Sequence, residues 1–325
     1  MTIKPIIVIS KCITFSPVRW DGTIIASEFV EKLKPYVEFV PVCPEVEVGL
    51  GVPRSPIRLV SKDGRIRLIQ PSTGLDLTEK MEEFAERFLG SLKAVDGFIL
   101  KSASPSSGFR TVKIYPRAEK SASIARGSGV FGGAVLAKYP NLAIEDERRL
   151  LNPRIKEHFL VKLYTLASFR AVKQKKSIQA LIKFQSDNKY LLTAYSQKQL
   201  SILGKIVANQ EKRPIESILS LYEANLYDVF SRPPSVGSNV NVLLKILGYF
   251  SSELTKEEKA FFLKTTEQYK QGKLPLSVCK SILRSWIIRF KNDYLSTQTF
   301  LEPYPDELVD LDSYSAEFMA KEYWK

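Results

Sequence analysis

Residues 96–109 read DGFILKSASPSSGF. The run GFILK (97–101) is apolar, of strand length, and passes into seven small or turn-forming residues at 102–108. A strand buried on both faces that ends in a loop of hydroxyls suits the carboxyl edge of a parallel sheet, where ligand-bearing loops converge. The flanking sequence repeats the pattern. IIVIS (6–10) predicts a buried strand, SEFVEKLKPY (27–36) a short amphipathic helix and VEFVPVC (37–43) a second strand. TEKMEEFAERFLGSLK (78–93) places Met81, Phe84, Ala85, Phe88 and Leu92 on one helical face, and Asp76 stands at capping-box spacing from Glu79. Strand, helix and strand in repetition predict an α/β N-terminal domain over 1–150, a Rossmann-like parallel sheet covered by helices.

From LNPRI (151–155) onward the period changes. EHFLVKLYTLASFRAVK, SIQALIKFQSDNKYLLTAYS, KQLSILGKIVANQ, SILSLYEANLYDVF, NVLLKILGYFSSEL, KEEKAFFLKTTEQYKQG and LSVCKSILRSWIIRF repeat apolar residues at intervals of three and four. They predict an all-α C-terminal domain over 151–325, with a loop at SRPPSVGSN (231–239) and an irregular segment from EPYPDE (302–307). A chain of 325 residues is long enough for two cores.

Charge is uneven. Residues 154–291 carry 24 Lys/Arg against 10 Asp/Glu, whereas 292–325 carry 2 against 8, so a basic body precedes an acidic tail. Such a body attracts polyanions by phosphate neutralisation, and solvated lysine-rich helix faces give the same arithmetic. Aromatics interleave with basic residues in KLYTLASFRAVKQKK (162–176), which makes Lys173, Lys175 and Lys176 the surface candidates for RNA contact. The opening MTIKPIIVIS has an apolar run of only four residues, too short for a membrane span or signal core, and the expectation is a cytoplasmic protein without membrane partners.

Three loops follow the predicted strands: SKCITFSPVRWDG (10–22), CPEVEVGLGVPR (43–54) and KSASPSSG (101–108). Cys12 and Cys43 lie at or just past two strand ends, where a parallel sheet can bring them together as a site or leave them as inert packing thiols. Cys279 falls inside a predicted helix and reads as a packing residue.

The runs SKCITFSPVRWDG, VPVCPEVEVGLGVPRSPIRLV, TGLDLT and DGFILKSASPSSG resemble the motifs of bacterial thiouracil desulfidases of the TudS type. KYLLTAYS, NVLLKILGYF, YKQGKLPLSV and YLSTQTFLEPYP resemble the YbgA-like helical domain often fused to them. The resemblance implies removal of sulfur from a thiolated pyrimidine; RNA containing one, and tRNA, are partner candidates beside it through the basic helical domain. It implies a [4Fe-4S] cluster held by three cysteines with one iron open. Cys12 and Cys43 match two of those ligands, while Ser107 stands at the third position, in SPSSG where the family has SPSCG. A hydroxyl is a far weaker acid and a harder donor than a thiol. The same likeness implies catalytic roles for Glu45 and Ser104, whose plain readings are a solvated loop carboxylate and a turn residue. Arg19, Asp21, Arg54 and Ser102 are candidates for substrate contact or for holding the loops.

Three readings follow: a desulfidase using an oxygen ligand at 107, a cluster-less relative acting as a binding or RNA-associated scaffold, and an introduced Cys-to-Ser exchange in an active parent. Against the third, Gln185, Asn188, Tyr195 and Lys245 stand in regions where relatives often carry histidine, and His158 is the sole histidine of the chain. One imidazole does not make a typical catalytic zinc site, and zinc is not expected. Gly127, Gly129 and Gly132 fit a dinucleotide GxGxxG pattern, but the preceding EKSASIAR is not strand-like, so neither NAD nor flavin is expected.

Overall fold

The computed structural model describes residues 3–309. The chain divides into two compact units, Met1–Phe159 and Leu160–Lys325. From residue 310 onward the predicted acidic tail lies outside the described residues.

Nine strands form among the described residues: β1 (Ile6–Ser10), β2 (Glu38–Val42), β3 (Arg58–Lys62), β4 (Arg65–Gln70), β5 (Leu75–Asp76), β6 (Gly97–Leu100), β7 (Val112–Tyr115), β8 (Ala125–Gly127) and β9 (Ala143–Asp146). The first unit also has helices α1 (Glu28–Leu33), α2 (Pro44–Glu47), α3 (Thr78–Ser91) and α4 (Val130–Lys138). One sheet has the order β2-β1-β6-β9, and all its neighbours are parallel. Ile7, Val8 and Ile9 in β1, and Phe98, Ile99 and Leu100 in β6, are fully buried, as strands covered on both faces must be. This is the predicted N-terminal α/β architecture.

A second sheet, β5-β4-β3-β7-β8, was not predicted. It is mixed: β3 pairs antiparallel with β4 and parallel with β7. Its hairpin turns at Asp63-Gly64, with φ of 50° and 74°, the left-handed pair that a tight two-residue turn requires. The two sheets share a core with α3 and α4, in which Leu59, Leu68 and Ile114 meet Met81, Phe84, Phe98 and Phe131.

Two local expectations are corrected. Leu77, not Asp76, is the N-cap of α3; Asp76 sits in β5 and accepts from the Thr78 N–H at 2.9 Å, an Asx-type turn rather than a capping box. The glycine run does follow a strand, β8, but an antiparallel edge strand of the second sheet. Its glycines have a different use from phosphate binding. Gly129 N–H donates to the Gly108 carbonyl at 2.6 Å, Val130 N–H to Pro105 at 3.2 Å and Gly132 N–H to Ser106 at 3.0 Å. The orphan donors of the α4 N-terminus are thus satisfied by the 104–108 loop. A Cβ on Gly129 would lie 2.6 Å from the Pro105 and Ser106 carbonyls, and one on Gly132 would lie 2.4 Å from that of Gly108.

The second unit contains helices from α5 (Pro153–Lys175), which begins in the first, through α6 (Ile178–Asp187), α7 (Lys189–Tyr195), α8 (Gln197–Ala208), α9 (Ile215–Val229), α10 (Val236–Leu247), α11 (Lys256–Lys270), α12 (Leu276–Phe290) and α13 (Asp293–Ser296). The C-terminal region is helical, as predicted. The single helix predicted across 177–196 breaks at Asn188, whose side-chain Nδ2 donates to the Phe184 carbonyl at 2.8 Å and competes with continuation of the helix. The loop predicted at 231–239 is shorter, because Ser235 caps α10 by accepting from the Ser238 N–H at 3.1 Å. α11 starts with a full capping box between Thr255 and Glu258. Cys279 is fully buried in α12, in keeping with a packing role. No described helix is long and apolar enough to cross a membrane.

The glycine contact predicts opposite signs for two substitutions. Gly132→Ala should lower stability by about 1–3 kcal/mol through overpacking. Gly204→Ala in α8, where an added Cβ meets nothing within 4 Å, should raise it by about 0.5–1 kcal/mol. Urea midpoints of the two variants check both signs.

Candidate functional site

Every strand of the parallel sheet contributes to one pocket. The strand order reverses between β1 and β6: the chain moves from β1 outward to β2, then returns to the other side for β6 and β9. Ligands bind at such switch points, outside the carboxyl ends of the strands. Cys12 follows β1, Cys43 follows β2, the 101–107 loop follows β6 and Arg148 follows β9; all line a cavity of about 360 Å³. The Lys101 N–H donates to Ser10 Oγ at 2.8 Å, joining the β1 and β6 ends.

Glu45 lies in α2, immediately beyond Cys43 and Pro44. Its Oε2 accepts from Arg54 Nε at 2.8 Å and also from Arg54 Nη2, a two-pronged pair with both side chains largely buried. Its Oε1 accepts from Ser106 Oγ at 2.7 Å and from Ser104 Oγ at 3.3 Å. Ser104 Oγ in turn accepts from the N–H groups of Ser106 (3.3 Å) and Ser107 (3.2 Å), fixing the loop that carries position 107. Arg54 Nη1 also donates to the Val18 carbonyl at 3.1 Å, so this guanidinium ties together segments following β1 and β2.

A second cluster closes the other side. Lys101 Nζ and Ser102 Oγ donate to Glu147 Oε1 at 2.7 Å and 2.6 Å, and the Ser102 N–H donates to Oε2 at 2.8 Å. Burial pushes the Glu147 carboxyl up, but the Lys101 and Ser102 hydrogen bonds and the lysine charge outweigh it, and the net shift is downward.

The pocket brings together Cys12, Cys43, Ser107, Glu45, Ser104, Arg54, Ser102 and Arg19. Asp21 does not line it; this residue pairs with Arg19 and accepts from the Thr23 hydroxyl at 2.6 Å, which holds its carboxyl below the usual range. Lys173, Lys175 and Lys176 lie at the end of α5, where Lys173 is paired with Glu223 at 2.7 Å and Lys176 with Glu216 at 3.5 Å. Sequence reasoning missed Ser106, Lys101, Glu147, Arg148 and Trp20. Ser106 was legible only as one more serine of the loop, while Glu147 became significant only once β9 was placed beside β6.

The donor set does not fit a cluster held by three cysteines. At the three ligand positions stand two thiols and one alcohol, and Cys279 belongs to the other unit. Among the described residues no three His, Cys, Asp or Glu side chains converge as metal ligands. Burial, reinforced by the neighbouring Cys43 and opposed by Lys101, pushes the Cys12 thiol up to about 12, and burial also raises Cys43.

A parallel sheet whose strand ends gather thiols, hydroxyls and a paired carboxylate defines a class of pocket-bearing α/β proteins, and comparison with known proteins places the chain more closely. Residues 7–147 match the family described as 2-thiouracil desulfurase, and residues 189–305 match a family described as a protein of unknown function, DUF1722. The uncharacterized protein YbbK of Bacillus subtilis (strain 168) is 33% identical over 109 residues, covering 31% of this chain and 72% of that protein. The uncharacterized protein YbgA of Escherichia coli (strain K12) is 22% identical over 154 residues, covering 47% of this chain and 91% of that protein. A solved structure of a [4Fe-4S]-dependent thiouracil desulfidase, TudS, is 30% identical, with 45% of this chain and 93% of that chain covered and a TM-score of 0.37. The chain belongs to the 2-thiouracil desulfurase family through its N-terminal unit, with a DUF1722 helical domain following.

The Glu147 cluster gives a pH prediction. Its folded pKa lies below the ordinary value of 4.5, so its contribution is full above that value and is lost as pH falls through the folded one. Glu147→Gln should cost on the order of 3 kcal/mol at pH 7. The gap in urea stability between wild type and Glu147→Gln should narrow below pH 4.

Proposed function

We propose that the N-terminal pocket binds a thiolated pyrimidine of the thiouracil type, and that the serine at 107 separates this recognition from cluster-based sulfur removal. The observation that carries the reading is the convergence of Cys12, Cys43 and Ser107 with the Glu45–Arg54 pair on one cavity. A ring the size of a pyrimidine is small against about 360 Å³. Its N–H and carbonyl edge needs both acceptors and donors, and the Glu45 carboxylate, the Ser102 and Ser104 hydroxyls and the Arg19 guanidinium supply them. Thiols beside the sulfur give it a soft, polarizable surrounding.

In the family reaction, water replaces the thiocarbonyl sulfur, which leaves as hydrogen sulfide. In this chain Glu45 is an acceptor already engaged by Arg54, Ser104 and Ser106, which suits orienting a ring N–H or a water. The Lewis acid that an iron–sulfur cluster would supply requires a third soft donor, and the hydroxyl at 107 is a hard one.

A second cavity of about 710 Å³ favours a phosphorylated form of the ligand over the free base. It shares Pro56, Ile57, Ala103, Pro105 and Arg148 with the first. Arg58, Lys113, Arg126 and Arg148 line it, and among the described residues no carboxylate does. A phosphate on the sugar of a thiolated nucleotide meets the charge this cleft requires.

Two measurements test these readings. Calorimetric titration should show 2-thiouracil binding to the wild-type protein and its nucleoside 5′-monophosphate binding more tightly, with the advantage shrinking as salt is raised; absence of binding by either would reject the site. After anaerobic reconstitution with iron and sulfide, wild type should hold far less of both than Ser107→Cys, which should turn brown. Full loading of the wild type would overturn the separation of binding from cluster chemistry.

A further inference from the structure

The pocket is lined by apolar as well as polar groups, and Trp20, inside the SPVRWDG stretch of the loop after β1, is a lining residue to which the sequence reading gave no role. Trp20 lines the cavity and is 47% exposed. The other described tryptophan, Trp286, is 6% exposed in the helical core. Trp20 is also the one aromatic ring among the described residues that line the cavity; the remaining apolar lining is aliphatic, from Val18, Pro56, Ile57 and their neighbours.

A large indole left half in water beside a cavity forgoes burial, so its position calls for a reason. Loose loop structure is not that reason. The Trp20 carbonyl accepts from the Arg54 N–H at 2.7 Å, and Arg54 Nη1 holds the Val18 carbonyl two residues earlier. On the other side Gly22, at φ +74°, turns the chain so that its N–H donates to the Arg19 carbonyl at 2.9 Å, and Arg19 Nη1 donates to Thr23 Oγ1 at 2.6 Å. The backbone is therefore fixed on both sides of Trp20. The same Arg54 holds Glu45 through its guanidinium, so one residue, by its main chain and its side chain, links the Trp20 backbone to the carboxylate.

We propose that Trp20 is the stacking platform of this pocket and makes it selective for planar heteroaromatic rings over puckered ones bearing the same polar groups. The inference rests on the thiolated-pyrimidine reading and adds a positioning and specificity residue to it. Ring-on-ring contact requires a flat ligand, whereas the hydrogen-bonding edge offered to Glu45 and the serines is the same in 2-thiouracil and in its 5,6-dihydro form, whose ring is puckered. The aromatic residue should decide between them.

The test compares calorimetric affinities of 2-thiouracil and 5,6-dihydro-2-thiouracil for wild type, Trp20→Phe and Trp20→Ala, each checked for native circular dichroism. Wild type should prefer the planar ring. Trp20→Ala should bind 2-thiouracil about 5- to 100-fold more weakly, the range for loss of one base–aromatic stack, and should bind the two compounds alike, with Trp20→Phe in between. If Trp20→Ala keeps the wild-type preference, or weakens both compounds equally, Trp20 is not the platform, while the site reading stands. If wild type binds neither compound, the site reading itself falls, and this inference with it.

Discussion

The contact between the 104–108 loop and the start of α4 governs how the site is presented. Main-chain carbonyls of residues 105, 106 and 108 occupy the helix's unsatisfied N–H groups, and two glycines let the chains approach more closely than any Cβ permits. The position of residue 107 is therefore set by backbone hydrogen bonds and not by whatever its side chain binds. This explains how an alcohol can occupy the position while the loop keeps its shape, with Ser106 and Ser107 both buried against the cavity.

Electrostatics then divides the pocket into two fixed halves. Glu45 with Arg54, and Glu147 with Lys101, are both largely buried pairs whose remaining lone pairs are taken by serine hydroxyls or loop N–H groups. Buried charge is tolerated only when it is completed in this way. Burial raises both thiols, offset only in part by the Lys101 charge at Cys12 and by loop N–H groups and Arg54 at Cys43. The resulting site presents fixed carboxylates, hydroxyls and cations around two thiols, with an alcohol where a third soft donor would stand.

The parallel sheet was legible because β1, β2 and β6 are short continuous apolar runs, each followed by a loop of different chemistry. The three site-bearing loops followed directly, and with them Cys12 and Cys43, whereas position 107 was singled out by the family resemblance. The second sheet was missed although RIRLIQ (β4) carries the period-two alternation of a half-buried strand; RLVSK (β3) does not alternate, and β5 and β8 are two or three residues long. Asp63-Gly64 was the available signal for the hairpin. Trp20 and Glu147 escaped for a different reason: their roles depend on which strand ends become neighbours, and pairing β6 with β9 is a long-range event that no local window contains. In the helical unit, the break at Asn188 came from a side-chain hydrogen bond that competes with a pattern otherwise continuous.

Each of the four strand ends brings its own functional group to the cavity, and none depends on another strand for its covalent anchorage. Such a layout lets evolution edit reactivity one loop at a time. An exchange of sulfur for oxygen at a single tip leaves the main-chain hydrogen bonds of that loop, and the anchorage of the other three, unaltered.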